Sequence, residues 1–194
     1  MELRVSLEMS KIIHISSFSP NKDDKFFFDT NIWMHLFCSV GKYFERDVNA
    51  YSSFFQKILE VGAKIYTTSM IISEFFNAYC KVEYHLAKGE RSTAEFDYKK
   101  DFRKSQEFGE LIGLLKNIVK KKILKNTIKL SDNFEKVNID AIFDEKKDFD
   151  FNDQYFIELC KEHRIMIVTH DKDFLDTKHD IVILTNRKLP VCNK

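Results

Sequence analysis

Apolar and polar positions alternate in blocks along the chain. Five short apolar runs bounded by charged or turn-forming residues read as strands: 25–29 (KFFFD), 63–69 (AKIYTTS), 127–131 (TIKLS), 164–170 (RIMIVTH) and 180–185 (DIVILT). Between them apolar residues recur at helical spacing. Ile32 opens one helix, to about Phe37. In 48–61 the repeating positions are Val48, Tyr51, Phe54, Phe55, Ile58 and Leu59, with Gly62 as the stop. In 70–88 they are Ile71, Ile72, Phe75, Phe76, Tyr79 and Val82, with Thr68 or Ser69 as cap and Gly89 as the end. Helices are also expected within the lysine-rich 91–126, over 133–143, and over 151–163 with Phe156, Ile157, Leu159 and Cys160 inward; 171–176 reads as a turn or short helix. Strands alternating with helices predict an α/β fold with a mostly parallel sheet.

Composition narrows this picture. The 194 residues fit one domain, 1–194, carrying an insertion. Hydrophobic residues make up 44% and charged ones 31%, enough for a core and a solvated surface. Five Gly and two Pro exclude long disordered linkers. A net charge of +1 excludes a global basic field, so a nucleic-acid reader must use local patches or bound cations. Cys38, Cys80, Cys160 and Cys192 form no C-x-x-C pair and read as reduced thiols. Six scattered His without H-E-x-x-H give no support to a zinc hydrolase. No apolar run approaches the roughly 20 residues of a membrane span. The start lacks a signal-peptide core, so the expectation is a cytoplasmic protein without membrane partners, beginning at Met1 or Met9.

Four acids fall at comparable places in such a fold. Asp29 closes the first strand, Glu74 lies about a turn inside the helix after the second, Asp153 begins the helix leading into 164–170, and Asp171 follows that strand. Ligands of open parallel sheets sit outside the carboxyl ends of the strands. Each acid also has a local explanation: a helix cap for Asp29 or Asp153, an Asx turn for Asp171, a solvated helix position for Glu74. Converging carboxylates repel unless a proton or cation neutralises them. An all-oxygen donor set suits magnesium or manganese, one ion or two, and those ions suit phosphodiester hydrolysis.

The motifs resemble those of the PIN-domain ribonucleases, whose best-populated bacterial branch is the VapC-type toxins. "FFFDTNIW" matches the family's apolar strand and D-[ST]-[NS] opening, and "YTTSMIISEFFNA" supplies its S-E pair at Ser73 and Glu74. "NDQYFIELCKEHRIMIVTHDKDF" matches the closing helix, strand and T-x-D-x-D-F, with Asp153 and Asp171 18 positions apart and Cys160 in the small-residue place. The resemblance covers about 25–89 and 127–185. It implies a three-layer α/β/α PIN-like fold with a mostly parallel sheet and a helical insertion at about 90–126.

The resemblance also implies a metal-dependent endoribonuclease. Asp29, Asp153 and Asp171 would be metal ligands, Glu74 would help bind metal or position water, and Asn31 and Thr169 would support them. Asp173 is a weaker candidate, and Asp150 rivals Asp153 for the third position. The implied partners are an RNA substrate, a small antitoxin protein and a second copy in a homodimer. The insertion departs from the compact toxins and puts the antitoxin partner in doubt. Its Lys116, Lys120, Lys121, Lys122 and Lys125 read either as a phosphate-backbone contact or as a solvated face. Two other readings stay open: a non-catalytic RNA- or protein-binding module, and a DNA-directed nuclease in repair or defence.

Overall fold

The computed structural model describes residues 11–91, 95–132, 134–143, 150–176 and 180–189. Met9 and Cys192 lie outside them. Six strands form one sheet: β1 (Lys11–His14), β2 (Lys25–Phe28), β3 (Lys64–Thr67), β4 (Ile128–Lys129), β5 (Met166–Val168) and β6 (Val182–Thr185). Their order is β1-β6-β5-β2-β3-β4 and every pair is parallel. The helices are α1 (Thr30–Phe37), α2 (Glu45–Glu60), α3 (Ser69–Glu90), α4 (Gln106–Ile118), α5 (Ile139–Phe143) and α6 (Phe151–His163).

The unbroken Phe26-Phe27-Phe28 run follows from the position of β2. It lies between β3 and β5, with Phe27 in register with Tyr66 on one side and Ile167 on the other. A strand covered on both faces needs no polar alternation. Phe26 meets Phe54 of α2 edge-on at 5.9 Å, and Phe28 packs on Trp33 of α1 at 5.1 Å. On the opposite face Phe27 meets Phe156 of α6, also at 5.1 Å. All three phenylalanines are fully buried, each contributing roughly 1.5–3 kcal/mol. Helices on both faces give a three-layer α/β/α fold, as expected.

The structure refines several elements. β1 was not anticipated; the short KIIH run pairs with β6 at the sheet's end. The helix expected over 133–143 is interrupted: a 3-10 turn covers Phe134–Lys136, then the Asn138 side chain accepts the Ala141 amide at 3.1 Å and starts α5 afresh. Gly89 does not end α3, which runs on to Glu90. Gly62 does end α2, with φ at +72°, a left-handed conformation that glycine adopts without a Cβ penalty. Thr68, not Ser69, caps α3 by accepting the Ile71 amide.

In the segment after α3, a 3-10 turn at Phe102–Lys104 precedes α4, and a π-helical turn, Val119–Ile123, follows it. Aromatic packing ties this segment to α3. Tyr84 stacks on Phe96 at 5.9 Å, contacts Phe102, and donates its hydroxyl to the Phe96 carbonyl at 2.7 Å. Cys38, Cys80 and Cys160 are buried free thiols. Among the described residues, no helix is long and apolar enough to cross a membrane.

Candidate active site at the carboxyl edge of the sheet

Because all strands run the same way, the residues following β2, β5 and β6 emerge along one edge. The Asp29 amide donates to the Val168 carbonyl at 3.0 Å, and the Thr169 amide to the Leu184 carbonyl at 3.0 Å. These bonds extend the ladders by one residue and fix the backbone from which the acids project.

Asp29 occupies the N-cap position of α1 but makes no side-chain capping bond. Its carboxylate turns to Thr169 instead, whose hydroxyl donates to Oδ2 at 2.7 Å. Asn31 donates its amide nitrogen to the same oxygen and also to the Thr169 hydroxyl at 3.1 Å, and its carbonyl oxygen accepts the His170 amide at 2.9 Å. The Asp171 amide in turn donates to the Thr169 hydroxyl at 2.9 Å. Asn31 and Thr169 thus join the ends of β2 and β5.

Asp150, not Asp153, caps α6, accepting the Asn152 amide at 2.8 Å. That leaves Asp153 free to face Asp29 and separates it from its rival. Asp171 does serve a turn, since its Oδ1 accepts the Asp173 amide at 3.0 Å, yet it also lines the site. Asp29, Asn31, Asp153 and Asp171 share an open hollow of about 320 Å³, walled by Thr30, Met34, Tyr43, Ala78 and Val82. Glu74 stands beside this hollow rather than in its wall. The Thr30 hydroxyl donates to one carboxylate oxygen at 2.6 Å and the Asn152 side chain to the other at 2.5 Å. Asp173 is exposed and does not line the hollow.

The electrostatics follow from burial. Asp29 is pushed up to about 7 by burial, offset by the Thr169 hydroxyl and the Thr30 amide and reinforced by the charges of Glu74 and Asp171. Asp153 is pushed up to about 8 by burial, then by Asp29, Asp150, Asp171 and Glu74. Among the described residues, no Lys or Arg lines the hollow. As the side chains stand, no group of three or more His, Cys, Asp or Glu among the described residues is arranged to enclose an ion. The donor chemistry nonetheless fits a hard divalent cation: carboxylate oxygens from separate segments, two of them in surroundings that disfavour their charge.

The structure does not bring the lysines to this hollow. Lys116, Lys120, Lys121, Lys122 and Lys125 are exposed at the end of α4 and along the turns after it. Leu124 of that stretch lines a separate cavity of about 400 Å³ with Thr67, Thr68, Ser69, Lys129 and Asp132.

Thr30 and Asn152, which fix Glu74, were not singled out in the sequence. Both stand next to candidate acids, in "DTN" and "FND", but only the fold shows that they reach α3. A polar cluster behind Asp171 was also missed. The Tyr51 hydroxyl hydrogen-bonds with His170 Nδ1 at 2.9 Å and accepts the Asn186 amide at 2.9 Å. Asn186 donates its side chain to buried Asp47 at 2.8 Å, and Arg187 donates to the His170 carbonyl at 2.8 Å. These bonds brace the backbone that carries Asp171.

Comparison with known proteins gives one family. The PIN domain family model matches residues 26–180. No curated protein matches the chain. A solved chain from VapBC2 of Rickettsia felis, bound to a DNA fragment from their promoter, is similar at TM-score 0.49 and 11% identity. That alignment covers 83% of this chain and 98% of the other.

Proposed function

Because the chain belongs to the PIN-domain family, whose members are in general nucleases, we propose that it is a metal-dependent endoribonuclease. One observation carries this reading. Asp29, Asp153 and Asp171 share a hollow that no cationic side chain among the described residues lines, and Glu74 is hydrogen-bonded beside it. Such a charge distribution is built for something positive.

Asp29, Asp153 and Asp171 would hold magnesium or manganese, with Glu74 as a further ligand or as the group that positions water. A bound divalent ion supplies charge to activate water and to offset charge on the phosphoryl group. The chain's own residues do the rest. Thr169 and Asn31 fix one oxygen of Asp29 and so hold its carboxylate in the wall of the hollow. Thr30 and Asn152 hold Glu74 from two sides. Water attacks phosphorus in line, and the product ends are a 5′-phosphate and a 3′-hydroxyl. No covalent enzyme intermediate is required.

Incubation with single-stranded RNA and manganese tests the reading. Cleavage should disappear with EDTA and in Asp29→Asn; unchanged cleavage in both would refute it. Resemblance to the toxin branch further suggests a small antitoxin partner. Co-purification with the product of an adjacent short reading frame tests that part separately.

A further inference from the structure

Four aromatic rings run in a row across the amino-terminal end of α6. Phe134 stacks on Tyr155 with centroids 6.2 Å apart and planes 24° apart. Phe151 stacks on Tyr155 from the next turn at 5.9 Å and 30°, as expected for an i, i+4 pair. Phe143 follows at 6.1 Å from Phe151. Tyr155 is 1% exposed and anchored, donating its hydroxyl to the Asp132 carbonyl at 2.6 Å. The others are open to solvent: Phe134 is 64% exposed, Phe143 61% and Phe151 37%. Lone exposed apolar residues are ordinary, but here three exposed phenylalanines belong to one contiguous row.

We infer that this row is a stacking platform for unpaired bases of a single-stranded nucleic acid entering or leaving the acidic hollow. The inference rests on the nuclease reading and names the subsite beside it. Three observations favour bases over a protein surface. Phe134 and Phe151 lie 24° and 30° from the plane of Tyr155, with Phe143 tilted 43° from Phe151, so exposed Phe134 can take a further flat ring. The row also adjoins the carboxylates: Asn152, next to Phe151, reaches across to Glu74, and Asp153 lies on the far side of the same helical turn. Finally, the rim offers cations for a backbone: exposed Lys136 shares the 3-10 turn with Phe134, and exposed Lys129 lies in the cavity that Asp132 also lines.

The test uses the full chain in EDTA, with fluorescence anisotropy on two labelled strands of roughly ten nucleotides. One is oligoadenylate RNA and the other an abasic strand with the same number of phosphates. The wild type should bind the base-bearing strand about tenfold or more tightly than the abasic one, the scale of a lost base–aromatic stack. Phe134→Leu with Phe151→Leu keeps apolar bulk at exposed positions and should erase most of that preference with an unchanged Tm. Equal binding of the two strands by the wild type overturns the inference, as does an undiminished preference in the double variant. Binding of neither strand also overturns it; if sedimentation then shows a dimer that the double variant dissolves, the rings belong to a second copy. Manganese-dependent cleavage by the wild type separates the two readings. Cleavage without base preference sinks the platform alone, whereas base preference without cleavage sinks the nuclease reading alone.

Discussion

The Thr169 hydroxyl donates to Asp29 Oδ2 at 2.7 Å, joining residues 140 positions apart at the ends of two adjacent strands. The Thr169 hydroxyl oxygen accepts the Asp171 amide and an Asn31 donor, so one buried hydroxyl serves both ends of the candidate site. Thr169→Val keeps the shape and removes the hydroxyl. Leaving a buried carboxylate short of a donor costs about 1–3 kcal/mol. Tm should fall by about 3–10 °C, and RNA cleavage should fall further than in Thr169→Ser, which keeps the oxygen. Differential scanning fluorimetry and a cleavage time course on both variants check this.

Two carboxyl groups held above their ordinary value make the metal-free protein sensitive to pH in a definite direction. Asp29 and Asp153 rise from 3.8 to about 7 and about 8. Between those limits the folded chain keeps protons that the unfolded chain has released, so stability falls as pH rises. Their stabilising contribution is complete below the unfolded value and lost through the folded one. In EDTA, Tm should decline from about pH 5 to about pH 8, and Asp153→Asn should flatten that decline. A Tm rising across this window in the wild type would contradict the assignment.

A divalent ion should oppose that repulsion. Manganese at about 100 times its dissociation constant would stabilise the fold by about 2.7 kcal/mol. Tm should then rise by about 5–10 °C, an effect independent of turnover. Asp29→Asn and Asp171→Asn should each remove most of the rise. A titration in which the wild type and both variants shift alike would show that the ion binds elsewhere.

Gly62 tests the fold apart from the site. Its φ of +72° suits glycine, and a Cβ built there meets nothing within 4 Å, so Gly62→Ala adds backbone strain without a clash. The expected cost is about 1–2 kcal/mol. Tm should drop by about 2–8 °C with cleavage per folded molecule unchanged. Calorimetry and specific activity on the same preparation check both halves.

The legible parts of the sequence were those with a local cause. The run at Phe26 to Phe28 identifies a strand buried on both faces, and the α6 boundaries at Phe151 and His163 follow from periodicity. Asp29, Asp153 and Asp171 were found by motif and by their place after strands or at a helix start. What escaped depends on partners distant in sequence. Lys11–His14 is a strand because β6 accepts it, and its four residues carry little signal of their own. Thr30 and Asn152 earn their place only because α3 carries Glu74 between them. Helix interruption at Asn138 required knowing that its side chain would take the Ala141 amide.

The pairing of β1 with β6 bears on handling the protein. β6 is VILT, with Ile183, Leu184 and Thr185 buried, and β1 covers its outer hydrogen-bonding edge. Trimming only the amino-terminal end back to residue 26, where the family match begins, would strip that cover while leaving β6 in place. An uncovered apolar strand is a template for pairing with another chain. Fragments lacking Lys11–His14 should therefore self-associate through Val182–Thr185, and insolubility of such a fragment would reflect a lost edge guard rather than a damaged site.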